Sequence, residues 1–113
     1  MGALHAGHLS LVEKAKAENN LVVCSIFVNP AQFNDPGDLE RYPRPIERDI
    51  ELLTLAGCDG LLLPSVEDIY PREGLLHLHR YDLGHLGHFL EGRSRPGHFQ
   101  GVANVVDRLL SIV

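Results

Sequence analysis

Two imidazoles separated by an alanine and a glycine stand near the start of the chain, in His5-Ala6-Gly7-His8. Gly7 removes side-chain bulk at the entry to a helix, so a phosphate can approach the backbone closely there. The N–H groups of a first helical turn, with the positive end of the helix dipole, favour an anion. Imidazoles three residues apart lie on one side of that turn and can reach the same phosphate. Near neutral pH they can donate hydrogen bonds to charge developing on a bridging oxygen. On these four residues alone, a pair of surface histidines is the plainer reading. A zinc pair is a third, although helical metal pairs favour four-residue spacing and no Cys or acidic ligand lies nearby in sequence.

Two further stretches carry usable chemistry. Phe27-Val28-Asn29-Pro30-Ala31-Gln32-Phe33 follows an apolar run, and ligands of open α/β sheets bind just outside the carboxyl ends of strands. The amides of Asn29 and Gln32 donate and accept, which suits a hydroxyl or a carboxylate. The alternative makes Asn29 a strand-end cap and Gln32 a solvated loop residue. Residues 91–101, EGRSRPGHFQG, bring Arg93, Arg95 and His98 into one glycine-flexed loop. Fork-shaped guanidinium donors fit a carboxylate or phosphate bidentately, and plain surface solvation is the alternative. His77, His79, His85 and His88 read as strand-face and loop residues.

These groups need a scaffold, and the patterning supplies one. Residues 9–19 read as a helix that sets Leu9, Val12, Ala15 and Lys16 near one another and ends at Asn19-Asn20. Residues 21–28, LVVCSIFV, read as a strand buried on both faces, hence parallel. The proline-rich residues 29–46 read as a long irregular connection of the kind that carries function. A helix over 45–56 buries Ile46, Ile50, Leu53 and Ala56, with Gly57 closing it. Residues 60–64 read as a second buried strand, VEDIY at 66–70 as a short helical turn, and 75–81 as an exposed or edge strand. Residues 82–98 are rich in Gly and His, and a helix over 99–113 sets Val102, Val105, Val106, Leu109 and Leu110 on one side. This alternation predicts an α/β domain with a parallel sheet. The glycine-containing turn at its start leads directly into a helix, where such a turn normally follows the first strand of a βαβ unit.

Composition narrows the partners. The 113 residues suit one domain, 44% of them are hydrophobic, and a 22% charged fraction excludes the composition of disordered chains. Ten Lys and Arg against fifteen Asp and Glu give a formal charge of −5, and neither half has a basic excess. No nucleic-acid partner is expected, and an anionic ligand must be held by local geometry. Cys24 and Cys58 read as small core residues rather than a disulfide. With no long apolar span and no signal-peptide pattern, the expectation is a cytoplasmic protein without membrane contact.

Taken together, MGALHAGHLSLV, FVNPAQF, DLERYPR and EGRSRPGHFQGVANVV closely resemble the pantoate–β-alanine ligase family over essentially the whole chain. His-x-Gly-His alone is shared with many nucleotidylyltransferases and class I aminoacyl-tRNA synthetases; MGALHxGHLSLV followed by FVNPxQF is far more specific. The resemblance implies a Rossmann-like parallel sheet flanked by helices. It also implies the family's reaction, in which ATP, pantoate and β-alanine give pantothenate, AMP and pyrophosphate through a pantoyl adenylate. Met1, Gly2, Ala3, Leu4, His5, Ala6, Gly7 and His8 match the ATP-binding segment, with His8 as proton donor and His5 as its phosphate-stabilising partner. Gln32 matches the residue contacting pantoate and β-alanine, Asn29 lies in the same pocket wall, and Arg95 and His98 are secondary candidates.

The resemblance also implies a homodimer, and Mg²⁺ carried with ATP. Asp49 aligns with an acidic cluster that some members use for Mg²⁺, but Arg48 and Leu52 stand where further ligands would be, so no protein-bound metal is assigned. A strand before Met1, and beyond Val113 a lysine-bearing loop and a small C-terminal domain, belong to the family pattern but not to these residues. Residues 1–113 are therefore expected to form a partial N-terminal nucleotide-binding domain that does not complete the reaction alone. The competing expectations are a non-catalytic remnant that binds only nucleotide or a partner chain, and another HxGH nucleotidyltransferase.

Overall fold

The computed structural model describes residues 2–72, 74, 77–85, 89 and 91–113, and for residues 91 and 92 the backbone only. Two compact units divide the chain: Met1–Val28 with Pro43–Pro64, and Asn29–Tyr42 with Ser65–Val113. The first is an α/β unit. Helix α1 (Ala6–Glu18) leads to strand β1 (Val23–Ser25), and helix α3 (Ile46–Leu55) leads to strand β2 (Gly60–Leu62). The strands pair in parallel, with Val23 opposite Gly60, Cys24 opposite Leu61 and Ser25 opposite Leu62. Val12 of α1, Leu53 of α3, and Val22 and Ile26 flanking β1 form the core of this unit, with Leu4, Ala15, Ile46 and Leu61 packed around it.

Helix α1 begins at Ala6, three residues earlier than the periodicity of 9–19 suggests, because His5 caps it. Asn19 closes it, as expected, its Nδ2 donating to the Ala15 carbonyl (3.0 Å). The expectation of a strand buried on both faces is corrected. Val22 and Ile26 point inward while Leu21, Val23 and Ser25 are exposed, the alternation of a strand covered on one side. In α3 the buried positions are Asp49 and Leu53, and Ile50 is exposed. The helix is turned so that a carboxylate rather than an isoleucine faces inward.

The second unit holds the connection read as irregular, and that reading too is corrected. It contains a 3₁₀ turn at Pro30–Gln32 and helix α2 (Pro36–Arg41). Asn29 and Asp35 cap them, their side chains accepting from the Ala31 and Gly37 N–H groups, and a proline follows each cap. After β2, Ser65 and Asp68 form a capping box on α4 (Val66–Ile69). Helices α5 (Glu91–Ser94) and α6 (His98–Ile112) follow, with Gly97 at φ +83° leading into α6.

Helix α6 buries Gly101, Asn104 and Val105, whereas Val106 and Leu110 of the predicted apolar stripe are exposed. Its polar inward positions have a use. Asn104 Oδ1 accepts from the His79 N–H (2.9 Å) and Asn104 Nδ2 donates to the His79 carbonyl (2.8 Å). Gln100 repeats the exchange with Tyr81 at 2.9 and 2.7 Å. Segment 77–81 is thus not the predicted edge strand; two side-chain amides take the place of a neighbouring strand. Leu75 and Leu76 of that prediction lie outside the described residues, as do Met1 and His88.

Candidate functional site

In the first unit the site is the entry to α1. His5 is the N-cap, and its Nδ1 accepts from the Gly7 N–H (3.1 Å). His8 reaches back, its Nδ1 accepting from the His5 N–H (3.2 Å). This is a capping box in which two imidazoles replace the usual hydroxyl and carboxylate. A backbone N–H can only donate, so Nδ1 of each ring is bare and its proton sits on Nε2. The rings lie 3.9 Å apart between centroids. Burial, and secondly the charge of His5, hold the His8 pKa below its ordinary 6.5. At neutral pH His8 is therefore a neutral Nε2–H donor. Gly7 serves this box directly: a Cβ there would lie 3.0 Å from His5 Cε1 and 3.1 Å from its Nδ1.

The approach to the box is shaped by Asp49, which sequence reasoning weighed only as a metal ligand. Its carboxylate is 1% exposed and accepts from two backbone groups, Ala3 N–H at Oδ2 and Leu4 N–H at Oδ1, both at 2.8 Å. Each oxygen is thus engaged by one backbone N–H. The described residues contain no group of three His, Cys, Asp or Glu placed to hold a metal ion. Gly2 (φ +84°) and Ala3 (φ +53°) both take left-handed backbone on the way to Leu4 and His5.

In the second unit Asn29, Gln32 and His98 come together. Asn29 is 1% and Gln32 4% exposed. Asn29 Nδ2 donates to Gln32 Oε1 (3.1 Å) and to the Gly101 carbonyl (3.0 Å). Its Oδ1 accepts from the Ala31 N–H (3.1 Å) and the Tyr70 hydroxyl (2.8 Å). All four hydrogen-bonding positions of the Asn29 amide are thus filled within the protein. The network also orients Gln32, whose Oε1 must face Asn29. His98 Nδ1 lies 3.3 Å from the Gln32 carbonyl, an atom that can only accept, so here the imidazole proton sits on Nδ1.

Tyr70 and Gly101 were missed as site residues. Burial raises the Tyr70 pKa, so its hydroxyl stays a donor at neutral pH, and the same burial makes its bond to Asn29 count. Gly101 lets α6 touch the 3₁₀ turn: a Cβ on it would fall 2.4 Å from the Ala31 carbonyl oxygen and 2.8 Å from the Gln32 nitrogen. A buried tyrosine two residues after an acidic helical turn and a glycine inside an amphipathic helix were the available signals. Arg95 lies elsewhere in this unit, lining a cleft of about 190 Å³ with Phe33, Asn34, Asp35, Asp38 and Ser94.

Comparison with known proteins bears on this arrangement. The family model for pantoate-beta-alanine ligase matches residues 1–113. Pantothenate synthetase from Allorhizobium ampelinum is 58% identical over the whole chain, and that from Cytophaga hutchinsonii 51%. The chain spans 38% and 39% of those proteins' lengths, respectively. The crystal structure of pantothenate synthetase from Thermus thermophilus superposes with a TM-score of 0.88 at 54% identity, covering all of this chain and 40% of that one. A Francisella tularensis pantoate-beta-alanine ligase, described as complexed with beta-gamma ATP and beta-alanine, gives 0.88 at 50% identity, over 99% of this chain and 42% of its own. With both amide and imidazole clusters built from the motifs that carried the resemblance, the chain belongs to the pantoate–β-alanine ligase family.

Proposed function

We propose that this segment supplies the adenylate-forming part of a pantothenate synthetase, in which pantoate and β-alanine are joined at the expense of ATP cleaved to AMP and pyrophosphate. The observation that carries the reading is the double-histidine cap, which uses Nδ1 of both rings and so leaves two Nε2–H donors at the positive end of a thirteen-residue helix. Residues 2–8 form the nucleotide turn. When the pantoate carboxylate attacks the α-phosphate, charge grows on the phosphate oxygens. Donors fixed in advance stabilise that charge without reorganisation. His8, kept neutral by burial, acts by donating from Nε2, and His5 supports the same oxygens. The amine of β-alanine then attacks the acyl adenylate and displaces AMP.

Gln32 serves as the pantoate contact in this reading. Asn29 is a positioning residue, since its amide is saturated by Gln32, Gly101, Ala31 and Tyr70. His98 acts on the same strip of backbone through the Gln32 carbonyl. Magnesium enters with the phosphates of ATP and screens their charge. A homodimer and a cytoplasmic location belong to the same reading by family likeness; no helix among the described residues is long and apolar enough to cross a membrane.

The test uses a full-length enzyme carrying this segment. His8→Ala should slow pantoate-dependent pyrophosphate release by about 10²-fold, the usual consequence of removing one pre-aimed donor. Release at the unaltered rate would remove the cap from the chemistry.

A further inference from the structure

We infer that Asp49 is the positioning residue of the nucleotide turn: through the Ala3 and Leu4 N–H groups its carboxylate holds Gly2 and Ala3 in the left-handed path that delivers His5 to the N-cap of α1. The inference rests on the reading of residues 2–8 as the nucleotide turn. It starts from the backbone. Two successive residues occupy the left-handed region, and the second is an alanine, which enters it only under constraint. Successive N–H groups in such a path converge into a concavity that holds an anion. Here the anion is internal, because the Ala3 and Leu4 N–H groups each reach one oxygen of Asp49 at 2.8 Å.

The carboxylate lies in the first turn of α3, where the helix dipole favours a negative group. Two backbone donors in a site shielded from water give it charge-assisted bonds. The turn has little slack: a Cβ on Gly2 would fall 3.1 Å from Ile26 Cγ2 and 3.3 Å from Asp49 Oδ2. The chain of restraint therefore runs from α3 to Ala3 and Leu4, from there to His5, and through the capping box to His8. An asparagine could not substitute, since its NH₂ end would face a backbone N–H.

In a full-length enzyme carrying this segment, Asp49→Asn should raise the KM for ATP about tenfold, the effect of one lost charged hydrogen bond, while the KM for pantoate holds. Adding Ala3→Gly to Asp49→Asn should recover most of that loss, because glycine takes the left-handed path unaided. A residue that merely stabilised the fold would give no such rescue. An unchanged KM for ATP in Asp49→Asn, or no recovery in the double variant, overturns the inference. His8→Ala measured alongside separates it from the underlying reading, which fails only if that variant keeps its pyrophosphate release. Should Asp49→Asn fail to fold, amide exchange in the unaltered protein decides. Ala3 and Leu4 should be protected, and exchange as fast as that of an open loop overturns the assignment.

Discussion

At the start of α1, two histidines accept backbone N–H groups through Nδ1; at the start of α6, a histidine faces a carbonyl through the same atom. The side chain is identical and the tautomer opposite, because each ring nitrogen answers to what its partner can do. The two regions differ in burial to match. The His5–His8 pair lies near solvent, its path set by one buried carboxylate behind it. Asn29, which holds Gln32, is enclosed by that amide, a phenol and a backbone carbonyl. The more exposed pair is held from behind, and the buried amide is fixed all round, since a mismatched buried polar group is penalised most.

The contrast can be tested from its tightest point outward. Gly101→Ala attacks the enclosed region, driving a methyl into the Ala31 carbonyl. It should lower stability by about 3 kcal/mol, the cost of forcing a packed contact apart, as read by urea denaturation. A loss under 1 kcal/mol would mean that α6 and the 3₁₀ turn slide freely. Tyr70→Phe removes one donor from Asn29 and leaves the Ala31 N–H in place. The expected loss is about 1 kcal/mol, again by denaturation, and no loss would show that the Asn29 network tolerates an open position.

The smallest effect is one of pH, in the outer region. His8 binds its proton less readily folded than unfolded. Its contribution to stability is therefore whole above the ordinary 6.5 and is lost as the pH falls from there toward the depressed folded value. Protonation places a hydrogen on Nδ1, against the His5 N–H, and the capping box opens. An NMR titration should find the His8 ring changing below pH 6.5 together with the His5 amide; titration at or above that value would reverse the sign.

Much of this was legible in the sequence, unevenly and for physical reasons. The parallel α/β order, the ends of α1 at Asn19 and of α3 before Gly57, and the short helix at VEDIY follow from periodicity and cap chemistry, which are local. The pairing of Asn29 with Gln32 was visible as a motif, but its saturation by Tyr70 and Gly101 was not, because those partners are 41 and 72 residues away. Asp49 was misleading in the same way. A carboxylate in a first helical turn reads as a dipole complement or a ligand, and only tertiary contact with residues 3 and 4 reveals a clamp. In the apolar stripe of α6, Val105 is buried as expected, but Val106 and Leu110 were misplaced because Gln100 and Asn104 look like solvent-facing residues until their amides are seen in use.

That use of Gln100 and Asn104 rests on a near coincidence of two rulers. Four residues of helix advance about 6 Å and two residues of extended chain about 6.6 Å, so a helix can stand in for a strand over two rungs. A further rung would be out of step by about 1.2 Å, beyond what a hydrogen bond tolerates. The sequence stops where the rulers part, with Pro96 four residues before Gln100 and Arg108 four after Asn104. The segment at 77–81 is therefore measured to length by the helix it lies on. Inserting one residue between Gln100 and Asn104 would cost it both its register and its partner.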